Sequence, residues 1–180
     1  MWEKNTDAFR SSKTTMKVVS RPALALDTSL ARTMHHQAYK EVAERQFGPW
    51  DVKAQDDFFA DNWASGEFEI LVCDDVPCGY LCVEHREDDF FIRELVLIPG
   101  FQGRGIGSEV LHGVTGRARQ SGVSVRLETC HMNRAVNLYR RLGFREVGQT
   151  DTHILMEWRV EAEKEYDAGP EAAGSETAAL

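Results

Sequence analysis

The sequence predicts a mixed α/β (α+β) fold in which a mixed, mostly antiparallel central sheet is flanked by helices. Three short apolar segments of strand-like composition follow one another in the middle of the chain. Segments with helical periodicity lie before them, and helical and strand patterns alternate after them. A length of 180 residues is enough for one domain with a substantial core. We therefore expect a single domain, and no internal repeat is visible.

The first half of this domain is predicted to contain one strand, two helices and a meander of three strands. Asp27 is the expected N-cap of the first helix, and Gly48-Pro49 is its expected stop. The turn Asp-Asp-Val-Pro and a later charged turn separate the three strands, which is typical of hairpins. In chain order, the expected elements are a strand at 16–20, helices at 28–47 and 51–63, and strands at 67–73, 78–84 and 90–98.

The second half is predicted to continue with a long helix that starts near Ile106 and ends at Gly122. Its apolar residues recur at helical spacing. The next segment alternates strictly, with Ser124, Arg126 and Glu128 on its polar side. The remaining expected elements are that strand at 123–128, a short helix at 133–142, and strands at 144–149 and 153–159.

Charge and composition divide the chain into three parts. The formal net charge is −8, and the last residues from 160 carry six acids against one lysine. We therefore expect a flexible N-terminal extension at 1–15, the folded domain at 16–160, and an acidic disordered tail at 161–180. No basic stripe is present, which argues against nucleic acid as a partner.

The sequence also predicts a cytoplasmic protein with no metal and no membrane partner. No apolar run approaches the ~20 residues that cross a bilayer, and the first fifteen residues lack the apolar stretch of a signal peptide. Cys73, Cys78, Cys82 and His85 invite a zinc interpretation. However, Cys78 and Cys82 stand roughly 13 Å apart along one expected strand, too far for zinc–sulfur bonds of about 2.3 Å. We expect free thiols of a reducing compartment instead.

A glycine-rich segment joins an expected strand to an expected helix, in the stretch IPGFQGRGIGSEVLHGV from Ile98 to Val114. Such a turn exposes successive backbone N–H groups at a helix N-terminus and can hold phosphate oxygens. A P-loop is excluded because Gly-Ile-Gly-Ser replaces Gly-Lys-Ser/Thr. A dinucleotide site remains an alternative, since Glu128 could hold a ribose, but four residues separate strand and first glycine. A flexible loop without a ligand is the third interpretation.

Two blocks of the sequence together resemble the GNAT superfamily of acyl-CoA-dependent N-acyltransferases. The first is Gln102-x-x-Gly105-x-Gly107 after a strand that ends in Leu-Val-Leu-Ile-Pro, and the second runs from Asn133 to Phe144. The resemblance implies that acetyl-CoA is the cosubstrate, that the loop binds its pyrophosphate, and that the strand before the loop and an asparagine bind its pantetheine arm. The implied binding residues are Val96, Leu97, Gln102, Gly103, Arg104, Gly105, Ile106, Gly107, Ser108 and Asn133.

The resemblance also implies an acid catalyst for the leaving thiolate. Tyr139 matches the family tyrosine whose hydroxyl faces the coenzyme sulfur. Without that match, Tyr139 would be interpreted as a core residue on the same face as Ala135 and Leu142.

Two glutamates are candidates for the base. Glu94 stands in line with Ile92, Val96 and Ile98 on an apolar strand face, where burial would raise its pKa. Glu128 resembles the base in the GNAT branch that acetylates N-terminal amines of ribosomal proteins, which favours it slightly. The alternatives are a salt bridge for Glu94 and a solvated pair with Arg126 for Glu128. His131 is a weaker third candidate.

These observations predict an enzyme that moves an acetyl group from acetyl-CoA to a primary amine by direct attack in a ternary complex. The acceptor would be a small molecule or a peptide or protein N-terminus, and the acidic chain favours a cationic one. A non-catalytic acyl-CoA-binding sensor or partner module of the same fold is the alternative, and a nicotinamide-dependent oxidoreductase is a third. Many GNAT domains pair through their sheets, so a homodimer is compatible with the resemblance.

Overall fold

A computed structural model of the protein describes residues 17–160. The predicted N-terminal extension, the first residue of the predicted first strand and the predicted acidic tail lie outside this range. Within it, seven strands and four α-helices follow one another. Their bounds are β1 Val18–Pro22, α1 Thr28–Phe47, α2 Val52–Ala64, β2 Phe68–Cys73, β3 Val76–His85, β4 Asp89–Leu97, α3 Ile106–Ser121, β5 Ser124–Cys130, α4 Ala135–Arg141, β6 Arg145–Gln149 and β7 His153–Trp158.

The strands form one sheet in the order β1-β2-β3-β4-β5-β7-β6. Every neighbouring pair is antiparallel except β4 and β5, which are parallel. A parallel pair needs a crossover connection, and α3 supplies it. The predicted mixed, mostly antiparallel sheet is therefore confirmed.

The helices cover both faces of the sheet and divide the core into two clusters. On the first face, α3 and α4 pack through residues such as Leu111 and Val136. On the second face, α1 and α2 pack through Ala31, Met34 and Phe59. No helix in the described part of the chain is long and apolar enough to cross a membrane.

Several element boundaries differ from the expected ones, and three of the differences have clear local reasons. Strand β3 begins earlier than predicted because Asp74 and Asp75, with φ of 48° and 65°, make a two-residue turn by themselves. Helix α4 begins later than predicted because the Asn133 side chain accepts a hydrogen bond from the backbone N–H of Ala135 at 2.9 Å. Strand β5 continues to Cys130, since its pairing with β7 extends that far.

Strands β4 and β5 separate along their length. Their pairing runs from Asp89 opposite Ser124 to Ile92 opposite Leu127 and ends there. Beyond this point β4 stays paired with β3, and β5 stays paired with β7. We call the opening between residues 93–97 of β4 and residues 128–130 of β5 the β4–β5 gap.

A β-bulge at Arg93 accompanies this separation. The register between β3 and β4 shifts there, so that Cys82 pairs with Glu94 but Val83 pairs with Ile92. A bulge reverses the alternation of side chains between the two faces. Ile92 therefore belongs to the first cluster, whereas Glu94 points to the second face with Val96. The prediction that Glu94 shares a face with Ile92 is wrong, and its alignment with Val96 and Ile98 is confirmed.

Candidate active site

The glycine-rich loop leads directly into the N-terminus of α3. Gly103 and Gly105 have φ of 72° and 90°, in the left-handed region that glycine adopts at little cost. The first helical backbone bond here joins Glu109 N–H to Gly105 O at 3.1 Å. The N–H groups of residues 103–108 have no hydrogen-bond acceptor among residues 17–160. Together with the partial positive charge of a 16-residue helix, these donors form an anion cradle.

The glycines of this loop serve two different purposes. A Cβ atom at Gly103 or Gly105 would meet no atom of the described residues within 4 Å, so these positions border open space. A Cβ atom at Gly107 would instead lie 3.0 Å from Leu138 Cδ2 and 3.6 Å from Leu97 Cδ1. Gly107 thus lets α3 pack closely against α4 and β4. Gly103 and Gly105 leave the open side of the cradle uncovered by described atoms.

The end of β4 presents backbone groups to the β4–β5 gap. A Cβ atom at Gly79 of β3 would lie 1.9 Å from Val96 O, so that carbonyl points towards β3. Ile98 N–H likewise donates to Cys78 O at 3.0 Å. Since backbone groups of successive strand residues point to opposite sides, those of Leu97 point towards the gap. Leu97 O accepts a hydrogen bond from Gln102 Nε2 at 2.8 Å.

Arg104 belongs to the loop itself, and Asn133 lies beside the end of β5. Arg104 is exposed, with its guanidinium carbon 5.5 Å from the centre of the Phe101 ring. The Asn133 amide donates to Thr129 Oγ1 at 3.0 Å, besides accepting from Ala135. The structure therefore places Asn133 beside the end of β5, where its side chain organises the start of α4.

Glu94 is a buried carboxylate held by two helices. It is 5% exposed and accepts hydrogen bonds from Tyr39 Oη of α1 and, at 2.5 Å, from Asn62 Nδ2 of α2. Burial raises the pKa of Glu94, while the two hydrogen bonds and the charge of Arg93 oppose that rise. The result is a carboxylate with increased proton affinity and a fixed orientation.

Tyr139 lies on α4, on the first face of the sheet. It is 6% exposed and packs edge-on against Phe144 with ring centres 5.7 Å apart. Burial raises the pKa of Tyr139 to about 12, and the charge of Glu94 adds to this effect. The phenol therefore stays protonated at neutral pH, within electrostatic reach of Glu94 from the opposite face of the sheet.

Glu128 is exposed on β5, one residue beyond the last β4–β5 pair. It lies on the same face as Arg126, which bonds Glu157 at 2.9 Å rather than Glu128. The alternative interpretation of Glu128, as a solvated partner of Arg126, is therefore wrong. His131 contacts Thr150 O through Nε2 at 2.9 Å in the exposed loop after β5.

Helix α1 passes over the β4–β5 gap. Its first half contributes buried residues such as Met34 and His35, and its residues after His35 are half-buried or exposed. At its far end, Gln46 donates to Thr152 O at 2.6 Å and accepts from Met132 N–H at 3.1 Å. This end of the helix is thus held against the loops that follow β5 and precede β7.

The sequence patterns do not predict the residues that surround Glu94. Tyr39 and Asn62 come from α1 and α2, where no site residue is predicted. A signal was present on α1, where His35 and Tyr39 are spaced as neighbours on one helical face. His35 contacts Tyr80 Oη at 3.3 Å and Gln55 Oε1 at 3.2 Å, and burial lowers its pKa. A polar pair on the buried side of a helix can thus indicate a site beneath it.

The four cysteines are free thiols in the structure. Cys78 and Cys82 both lie in β3. No group of three or more histidine, cysteine, aspartate or glutamate side chains among residues 17–160 is arranged to hold a metal ion.

Comparison with known proteins agrees with this geometry. A family model described as the acetyltransferase (GNAT) family matches residues 35–144. No protein with a curated description matches the chain in sequence.

Several solved structures share the fold at low sequence identity. The PaiA N-acetyltransferase of Thermoplasma acidophilum, solved in complex with coenzyme A, superposes with a TM-score of 0.66 and 14% identity over 81% of this chain and 100% of that one. The ribosomal-protein-S18-alanine N-acetyltransferase of Escherichia coli gives a TM-score of 0.59 and 21% identity over 83% and 99%. An acetyltransferase of Thermus thermophilus gives 0.64 and 18% over 81% and 99%. At such identities the likeness shows the fold alone.

Proposed function

The chain belongs to the acetyltransferase (GNAT) family, and from that premise we propose that it transfers an acetyl group from acetyl-CoA to a primary amine by direct attack in a ternary complex. One observation carries the proposal. The anion cradle of residues 103–108 opens beside a gap that is flanked by a buried carboxylate and a buried phenol. Phosphate binding, proton acceptance and proton donation are thereby available at one place.

The cradle suits the diphosphate of coenzyme A because it offers successive N–H donors and the positive end of α3. When bound, acetyl-CoA would supply an activated thioester carbonyl. The backbone of Leu97 would pair with the pantetheine arm along the β4–β5 gap, and Asn133 would donate its amide from the other side. Arg104 would add positive charge near the phosphates.

Glu94 would accept the proton that the acceptor must lose. An alkyl ammonium has a pKa near 10.4, so a carboxylate removes its proton more readily through water than in one direct step. The raised pKa of Glu94 brings the proton affinity of this carboxylate closer to that of the amine. Glu128, exposed on the same face, would attract the cationic acceptor to the gap. This assignment divides binding and proton transfer between the two glutamates.

Tyr139 would donate its hydroxyl proton towards the sulfur of the departing thiolate. The raised pKa of Tyr139, about 12, keeps the donor protonated over the whole range in which the amine reacts. A thiolate formed in the same low-dielectric environment gains more from this hydrogen bond than it would in water.

Replacing Tyr139 with phenylalanine is expected to lower kcat by roughly 10²-fold, the usual scale for losing an acid catalyst. Affinity for coenzyme A should change little, because the ring and its packing against Phe144 are retained. Steady-state rates and calorimetric coenzyme titration of both proteins provide the check. Unchanged turnover would show that Tyr139 is not the acid catalyst and has only a structural role.

The overall reaction is tested by measuring release of free thiol from acetyl-CoA in the presence of amines. The panel should include a polyamine, an aminoglycoside, and peptides with free and with blocked N-termini. We expect at least one primary amine to stimulate thiol release and to be recovered in acetylated form. Tight coenzyme binding without stimulation by any amine would favour a non-catalytic acyl-CoA sensor.

A further inference from the structure

The β-bulge in β4 brings two successive side chains, Arg93 and Glu94, onto the same face of the sheet. In a regular strand they would point in opposite directions. Here both contact one residue of α2, because the Asn62 amide donates to Glu94 Oε1 at 2.5 Å and its oxygen accepts from Arg93 Nη2. Asn62 therefore bridges a guanidinium and a buried carboxylate.

Arg93 is itself held firmly. It donates to Ser65 Oγ at 2.9 Å and to Ser65 O at 3.2 Å, at the C-terminal end of α2. Its Nη1 also lies 3.2 Å from Glu84 Oε1 on the neighbouring strand. The Arg93 side chain is 18% exposed, so this ion pair is better shielded from solvent than a fully exposed one.

The chemistry of the two neighbours fixes the orientation of the Asn62 amide. A guanidinium has only donors and an ionised carboxylate has only acceptors. Asn62 must therefore turn its oxygen to Arg93 and its nitrogen to Glu94. Without Arg93 the amide could rotate and present its oxygen to Glu94, and that arrangement is favourable only when the carboxyl group carries a proton.

We propose that Arg93 is a positioning residue that acts through Asn62 to keep Glu94 ionised and ready to accept a proton. The inference rests on the proposed role of Glu94 as base, but it concerns the ionisation of that group and can be measured without turnover.

The other titratable groups near Glu94 are neutral and so do not stabilise its ionised form by charge. Burial raises the pKa of Tyr39, Tyr80, Tyr139 and Cys82, so these groups stay neutral at neutral pH. Burial lowers the pKa of His35, which stays neutral there as well. The charged group that acts on Glu94 directly is Arg93 of β4. Glu84 of β3 and Glu67, the residue before β2, act on the neighbouring Cys82.

The test is a carboxyl titration by ¹³C NMR, with the Glu94 signal identified by its loss in Glu94→Gln. We expect Arg93→Met to raise the pKa of Glu94 by about 1, at the lower end of what a neighbouring opposite charge does. The acid limb of the pH profile of kcat/KM should move up by the same amount. Arg93→Lys, which keeps a charged donor, should restore most of the difference and also serves if the methionine variant folds poorly.

A double-mutant cycle separates action through Asn62 from a direct effect of charge. In an Asn62→Leu background, Arg93→Met should shift the titration of Glu94 much less than in the wild type. An equal shift in both backgrounds would overturn the inference in favour of a direct charge effect. The matched control is Arg86→Met, which removes an arginine bonded to the same Glu84 at 2.7 Å and should leave the titration unchanged.

The two readouts also separate this inference from the proposed function. A shifted carboxyl titration with an unchanged pH–rate profile would keep Arg93 as a positioning residue and remove Glu94 as the base. An unshifted titration would refute the positioning role and leave acetyl transfer untouched.

Discussion

Replacing Glu94 with glutamine is expected to lower kcat by roughly 10²–10⁴-fold, the range associated with loss of a general base. Glutamine has nearly the same shape and can still bond Tyr39 and Asn62, so the surrounding helices should keep their positions. Affinity for coenzyme A should be nearly unchanged, because Glu94 lies on the face covered by α1 and α2 and does not contribute to the cradle. Thiol-release kinetics with the best amine of the panel measure the effect.

The stability of this variant distinguishes lost chemistry from lost structure. The pKa of Glu94 is higher in the folded than in the unfolded chain, so the native state binds this proton more tightly. Ionisation of Glu94 therefore lowers the stability of the folded protein as pH rises from the unfolded-state pKa of Glu94 through its higher folded-state pKa. The free energy of unfolding of Glu94→Gln, relative to wild type, should increase with pH, which denaturant titrations at several pH values can follow.

Glu128→Gln is the matched control for a glutamate on the same face. Since Glu128 is exposed, its loss should mainly raise the KM for a cationic amine, by a few-fold, with kcat largely retained. The reverse pattern, with kcat lost in Glu128→Gln and retained in Glu94→Gln, would assign the base to Glu128.

Replacing Gly105 with valine is expected to abolish detectable binding of coenzyme A. Gly105 has φ of 90°, which a β-branched residue adopts only with strain. The protein itself offers no obstacle, because a Cβ atom there meets no described atom within 4 Å. The side chain would instead project into the open side of the cradle, and a relaxed backbone would turn the N–H groups away.

Gly113→Ala on the same helix is the control for this substitution. Gly113 lies in regular helix with open space around it, so alanine should stabilise the protein by about 0.5–1 kcal/mol and preserve coenzyme binding. Circular dichroism and thermal melts establish whether Gly105→Val retains the fold. If a folded Gly105→Val protein binds coenzyme A as the wild type does, the ligand does not use this loop.

Local patterns in the sequence were sufficient to predict the order of the elements. Asp27 stands at the position before α1 as expected, although its carboxylate bonds Arg21 and Leu24 N–H instead of capping the helix. The glycine pattern around Gly105 located the start of α3, since it reflects a backbone conformation. Such features depend on neighbouring residues, which is why the sequence reveals them.

The environment of Glu94 could not be predicted because it depends on long-range contacts. Tyr39 and Asn62 reach this carboxylate from 55 and 32 residues away. The bulge at Arg93 has no marker such as glycine in the sequence, and it places Ile92 and Glu94 on opposite faces. Strict alternation of side chains along β4 therefore predicts the wrong face for Ile92, because the strand changes register at Arg93.

Every step of the proposed reaction depends on binding of the coenzyme A diphosphate by the free backbone N–H groups between Gly103 and Ser108. Isothermal titration calorimetry of the wild-type protein with coenzyme A, with acetyl-CoA and with pantetheine tests this binding most directly. We predict saturable one-to-one binding of both coenzyme forms, much weaker binding of pantetheine, which lacks the diphosphate, and no binding by Gly105→Val. A wild-type protein that binds neither coenzyme A nor acetyl-CoA would contradict the claim.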